Sequence, residues 1–281
     1  MKGYPWFRMM WHAVDGLLVV SLGVLIYAGT WELATRNYLK GFSDAVVPST
    51  DQPEQKVEAI LAWMKNGPAR RTTADSDSLS ARDPQQTLNY SQLLQVCGTA
   101  TNAFVNLSMS SGLEARRLLL LDQNQNAKHV VVEVLINGAW VVVDPSYRVM
   151  FRAQDGRLLT RMELKVPAIF RQATEPIPNY PQTYTYERPI HIHLRRIPWV
   201  GRYLRRAFNL VWPGWEEGIN WTVLVERESF ALVIVSGLLL CFGLAARLLL
   251  GLYGSRRLGV TRVRLRDQLV QAGATLFSYP K

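Results

Sequence analysis

Residues 129–147 read HVVVEVLINGAWVVVDPSY, and the fold turns on how this stretch doubles back on itself. Asn137-Gly138 at its middle is the strongest short hairpin signal, because both central positions of a tight two-residue turn need positive φ. With that turn, Ile136 lies opposite Ala139, and counting outward places Val131 opposite Asp144. Side chains alternate along a strand, so His129 shares a face with Val131 and therefore with Asp144, one diagonal step away. Diagonal neighbours are roughly 7–8 Å apart at the backbone, within reach for a histidine and an aspartate. A slip of one residue would break the pairing. The opposite face carries Val130, Val132, Val134, Ile136, Ala139, Val141 and Val143, all apolar, and is expected to be core. The His–Asp face is mixed, with Val131, Glu133, Leu135, Trp140 and Val142, and a helix is the expected cover for it.

That helix is sought upstream, in QVCGTATNAFVNLSMSSGLEARRLLLL over residues 95–121. After Cys97, the residues Ala100, Ala103, Phe104 and Leu107 fall on one helical face, and Gly112 is a fitting stop. ARRLLLL then reads as a strand, giving a helix followed by at least three strands. A cysteine opening a helix beside a histidine, with an acid beyond it, is what thiol catalysis requires. The thiolate is the nucleophile, a helix N-terminus and an imidazolium lower its pKa, and the acid fixes the imidazole. The plainer reading is a buried cysteine, a strand-end histidine and an Asp-Pro turn, and spacing by itself favours neither.

The order Cys97, then Gly112-Leu113-Glu114-Ala115-Arg116, then His129 to Glu133, then Trp140 to Asp144-Pro145 resembles the transglutaminase-like superfamily, a papain-like cysteine fold. The resemblance implies an α+β domain in which a Cys-bearing helix packs on an antiparallel sheet. It implies Cys97 as nucleophile, His129 as general base and acid, and Asp144 as its orienting group. The backbone N–H of Cys97 would help form the oxyanion hole, with Gln95 or Gln92 as the side-chain donor. Glu133 and Arg116 would support the site, as a brace or as an ion pair. Val96 stands where the family often has glycine, with Gly98 following. The implied chemistry is attack on a protein or peptide amide to give a thioester that water or an amine then resolves. The resemblance also points to envelope polymer machinery, including surface polysaccharide assembly, as the setting. The rival is a catalytically silent scaffold or binding module of the same fold, and a third reading is a redox sensor forming mixed disulfides. Neither a cofactor nor a metal is implied.

The rest of the chain sets the location. Its 281 residues carry a formal net charge of +10 and are 48% hydrophobic, which excludes a disordered chain. Residues 16–31 hold no charged residue, and 229–246 form a second apolar stretch continued by RLLLGLY. Both read as transmembrane helices, the first alternatively as a signal sequence. Lys2 and Arg8 before the first, and Arg256, Arg257, Arg262, Arg264 and Arg266 after the second, favour a cytoplasmic location for both ends. The expected plan is therefore an anchor over 1–32, an extracytoplasmic domain over 33–228 with its core at 91–165, a span over 229–253 and a basic cytoplasmic tail over 254–281. This corresponds to a bacterial inner-membrane protein with a periplasmic domain, a location that argues against nucleic acid as a partner. Cys241 falls in the second span, so Cys97 has no soluble disulfide partner in the chain.

Smaller expectations complete the reading. Residues 54–66 form a helix ended by Pro68, 69–86 an exposed loop, and VMFRAQDGRLLT a hairpin turning at Asp155-Gly156. His191 and His193 share a strand face but lack a third ligand nearby. RRIPWVGRYLRRAF over 195–208 is either a solvated basic face or a site for anionic headgroups or an acidic polymer. The aromatics between Tyr180 and Trp221 either wrap the domain or lie against the membrane.

Overall fold

The computed structural model describes residues 4–50, 52–67, 82–122, 124, 126–192 and 201–259. The helices are α1 (Pro5–Val46), α2 (Pro53–Asn66), α3 (Pro84–Asn89), α4 (Cys97–Ser110), α5 (Arg161–Leu164), α6 (Pro167–Thr174), α7 (Gly201–Val211), α8 (Trp215–Gly218), α9 (Thr222–Glu226) and α10 (Glu228–Arg257). The strands are β1 (Ala115–Leu121), β2 (Ala127–Ile136), β3 (Ala139–Asp144), β4 (Val149–Met150) and β5 (Pro189–Ile190). They form one antiparallel sheet in the order β4-β3-β2-β1-β5.

The chain divides into two units, residues 1–29 with 232–281 and Thr30–Ala231. In the first, the ends of α1 and α10 carry apolar sequence, and both helices are long and apolar enough to cross a membrane. The charges that interrupt the two apolar runs meet there. Arg247 Nε lies 2.7 Å from Asp15 Oδ1, and its guanidinium stacks 3.2 Å from the Trp11 ring centre. Pairing removes the cost of carrying an isolated charge on an apolar helix.

The second unit is built on the hairpin. Asn137 and Gly138 have φ of 50° and 81°, and Ile136 pairs with Ala139, Val134 with Val141 and Val132 with Val143. The turn chemistry and the two-residue period thus set the observed register. The apolar face, with Val132, Val134, Ile136, Val141 and Val143, packs against α2 and α4 through Val57, Ile60, Leu61, Ala100, Ala103, Phe104 and Leu107.

This corrects one expectation. The Cys97 helix covers the valine face, not the His–Asp face. The physical reason lies in α4, which is buried on all sides from Thr99 to Ser108 and so needs an apolar floor. The His–Asp face is covered instead by the chain after β3. Val131 and Val142 pack with Phe151, Leu159, Leu164, Phe170, Tyr180 and Tyr186. Part of the tyrosine-rich segment therefore wraps the domain.

Other local expectations divide. The helix over 54–66 is present as α2, and Gly112 takes φ 82° just past the end of α4. Asp155-Gly156 turns a short ladder in which Arg152 bridges Leu158. Residues 84–86 open α3 and do not belong to a loop, because Asp83 caps the helix by accepting from Gln85 N–H at 3.0 Å. The remainder of that stretch, 69–81, lies outside the described residues, as do His193 and Arg262, Arg264 and Arg266.

Buried polar side chains fix α4 from its other side. Asn106 Oδ1 accepts from Arg227 Nη2 at 2.8 Å, and Arg227 Nη1 donates to Glu32 at 2.7 Å. Ser229 also donates to Glu32 at 2.7 Å, and Asn102 donates to the Glu226 backbone carbonyl. Glu32, just after the first apolar run, and Arg227 and Ser229, at the head of the second, are thereby tied to the Cys97 helix.

Candidate active site

Cys97 is the first residue of α4, half-buried, and free of any disulfide. It sits over the end of the sheet in a small cluster with Leu119, Leu121 and Val130. The ladder between β1 and β2 is interrupted there. Leu120 pairs with His129 but Leu121 pairs with Ala127, so Lys128 is the extra residue of a bulge. Such a bulge bends the strand and re-aims the neighbouring side chain. Through it His129, on the opposite face from α4, comes beside the Cys97 sulfur at the strand end, where each group shifts the other's acidity.

The imidazole is 2% exposed and held from three sides. Its Nε2 lies 2.7 Å from Asp144 Oδ2, which leaves Nδ1 for the thiol. The Tyr184 ring stacks on it at 4.2 Å and 6°, and Tyr147 meets it edge-on at 6.2 Å. Asp144, fully buried at the end of β3, accepts three further hydrogen bonds. Tyr180 Oη donates to Oδ2 at 2.9 Å, and the N–H groups of Ser146 and Tyr147 donate to Oδ1 at 3.0 and 3.3 Å. The Asp-Pro turn therefore supplies backbone donors as well as ending the strand.

The electrostatics are reciprocal. The hydrogen bond from His129 pulls the Cys97 thiol below its ordinary range. Burial opposes this, while the imidazolium charge and the N–H groups of Val130 and Gly98 add to it. Burial by itself would lower His129, but Asp144 and Cys97 more than offset it, and its pKa is pushed up to about 9. Burial beside Tyr186 and Asp144 pushes the Tyr180 hydroxyl far up, so it remains a donor. Both shifts run in the direction that favours a thiolate–imidazolium pair.

The supporting residues separate into two groups. Gln92 and Gln95 precede Cys97 in and beside the 3-10 turn Leu93–Gln95, and neither side chain makes a hydrogen bond among the described residues. Glu133 and Arg116 are together, with Arg116 Nε donating to Glu133 Oε2 at 2.7 Å. Glu133 is fully buried, so this is not a surface ion pair. His191 Nε2 lies 3.0 Å from the same oxygen, and Arg161 Nε lies 3.6 Å from Oε1. Burial pushes the Glu133 carboxyl up, while His191, Arg116 and Arg161 more than offset it, so it is held low. His191 is thus engaged by a carboxylate, and among the described residues no three His, Cys, Asp or Glu side chains converge as a metal-ligand set.

Tyr180 and Tyr184 are the residues that sequence reading left as packing. Their sequence signal is the run YPQTYTY over 180–186, which does not say which face they cover.

Residues 40–145 match the family model of the transglutaminase-like superfamily, a range that runs from the end of α1 through α2, α3, α4 and β1 to β3. It starts well upstream of the motifs and ends at the Asp-Pro turn, so Tyr180 and Tyr184 fall beyond it. No curated protein and no solved structure matches the chain. With their antiparallel strands and Cys-bearing helix, residues 40–145 form a transglutaminase-like domain.

Proposed function

We propose that the protein is a membrane-anchored thiol acyl-transfer enzyme acting on an amide, with Cys97, His129 and Asp144 as its catalytic residues. The observation that carries this reading is the Cys97–His129–Asp144 relay, in which the thiol is lowered and the imidazole raised. The Cys97 thiolate attacks the amide carbonyl carbon, forming a C–S bond and a tetrahedral oxyanion. His129 gives its proton to the leaving nitrogen as the C–N bond breaks, and a thioester remains. Water or an amine then gives a proton to His129 and attacks the thioester, and the thiolate departs. The N–H of Cys97 at the start of α4 is the supporting oxyanion donor. Asp144 holds the imidazole, and its own charge is steadied by Tyr180 and two backbone N–H groups.

The apolar α1 and α10 support membrane anchoring, and the basic flanks support a periplasmic domain. Envelope polymer machinery is the partner setting that fits this location. A silent scaffold is favoured by one observation, the Tyr184 ring lying flat on His129. Hydroxylamine trapping separates the two readings. Full-length protein incubated with a peptide pool and hydroxylamine is expected to release peptidyl hydroxamates. These should disappear in Cys97→Ser and His129→Ala. A folded protein that yields no hydroxamate from any peptide, with or without Tyr184→Ala, is the scaffold.

A further inference from the structure

The helix α7 presents its apolar side outward. Tyr203, Ala207, Leu210 and Val211 follow the spacing of a single helical face, and all four are exposed. Leu210 and Val211 are 85% and 82% exposed, Tyr203 69%, and Trp212 just after the helix 53%. The side of α7 that meets the protein is a different one. Phe208 packs on Trp215 with ring centres 4.9 Å apart, and Asn209 Oδ1 accepts from Trp215 Nε1 at 2.9 Å. Trp215 is buried and also meets Trp221 at 5.4 Å. This tryptophan footing holds the helix by its Phe208–Asn209 edge and leaves the aliphatic stripe uncovered, with the Arg206 position at its margin.

We infer that α7 is an interfacial helix that lies in the surface of an anionic phospholipid bilayer, the same bilayer that α1 and α10 cross. An outward stripe of Tyr, Leu, Val and Trp bordered by arginine matches the boundary between acyl chains and anionic headgroups, where each residue type gains. The sequence of α7 itself carries Arg202, Arg205 and Arg206 and no acidic residue, a charge that favours an anionic surface. Continuity supplies the occupant, since the chain runs from Trp212 through the short α8 and α9 directly into the apolar α10. The inference rests on the membrane-spanning reading of α10, and the test separates the two.

The native Cys241 is exposed on α10 and serves as an internal control. Full-length Cys97→Ser protein is labelled at Cys241 with an environment-sensitive fluorophore. A second sample, Cys97→Ser, Cys241→Ser and Leu210→Cys, is labelled at residue 210. Both are reconstituted in phosphatidylcholine–phosphatidylglycerol vesicles whose lipids carry quenchers at shallow or deep positions. The expected result is quenching of residue 210 by the shallow quencher and of Cys241 by the deep one. Quenching at 210 should weaken with Arg206→Glu, Val211→Glu or vesicles of phosphatidylcholine alone. Quenching at Cys241 but not at 210 overturns the inference while leaving the spanning helix intact. A blue-shifted but unquenched residue 210 that depends on protein density also overturns it, in favour of a second copy of the chain. Loss of quenching at both positions removes the spanning reading and the inference together.

Discussion

Glu133 and Asp144 are two fully buried carboxylates on one face of the same sheet, and their surroundings differ in kind. Glu133 is enclosed by His191 and by Arg116 and Arg161, two guanidinium groups that never lose their charge. Asp144 faces one titratable imidazole and three neutral donors. The first arrangement is a closed ionic joint, tying β1 and β2 to α5 and to the strand edge at His191. The second keeps a charge that can answer a proton moving elsewhere. An imidazolium at His129 is stabilised by Asp144 and by the thiolate together, so the thiol's acidity is linked to the carboxylate across the ring. The two carboxylates therefore divide the labour, one holding the sheet and the other governing the proton.

Removing each in turn breaks this comparison if it is wrong. Glu133→Gln takes the counter-charge from the largely buried Arg116, while Arg161 keeps Glu217, and should lose about 3–5 kcal/mol in denaturant unfolding. The protein that remains folded should alkylate at Cys97 with an unchanged pH dependence. Asp144→Asn should show the reverse weighting. Its stability loss should be smaller, about 1.5–3 kcal/mol for a hydrogen bond to a charged group. Its Cys97 should behave as an ordinary thiol, with the acid limb of the alkylation profile moved upward. Tyr180→Phe removes one donor from Asp144 and should cost about 1–2 kcal/mol, with a smaller upward movement of the same limb. Tyr184→Leu deletes a stacked ring worth about 1 kcal/mol and should chiefly speed access of alkylating agents to the site.

The pH dependence of stability sharpens the same point. A raised histidine contributes stability that is complete below its unfolded pKa, about 6.5, and disappears as the pH passes its folded value. For His129 that loss falls as pH rises through about 9. The lowered Cys97 works in the opposite direction, its contribution being lost as the pH falls through the depressed thiol value. Thermal stability of the wild type should therefore fall as the pH rises from about 6.5 to about 9 and level off above that, and His129→Ala should abolish that step.

The hairpin was legible because its determinants are local. Asn137-Gly138 names its own turn, and the alternation of valines counts out the register to Asp144 without reference to anything distant. What covers each face was not legible. Both faces offer large apolar residues, and only the burial of α4 on every side decides that it takes the valine floor. The bulge at Lys128 leaves no mark in composition, although it brings His129 round to a cysteine on the other side of the sheet. Glu133 read as an ordinary partner for Arg116 because Arg161 and His191 arrive from later in the chain. Tyr180 and Tyr184 were invisible as site residues for the same reason. Their roles depend on how the segment after β3 folds back, which no local pattern records.

The most direct test of the account is the pH–rate profile of Cys97 alkylation in full-length Cys241→Ser protein, with and without His129→Ala. The account predicts fast alkylation well below the ordinary thiol pKa of about 8.5. A second inflection should appear near pH 9 as His129 loses its proton, and both features should vanish in the substituted protein. A Cys97 that titrates as a free thiol and is indifferent to His129 would contradict the thiolate–imidazolium pair, and with it the proposed catalytic role.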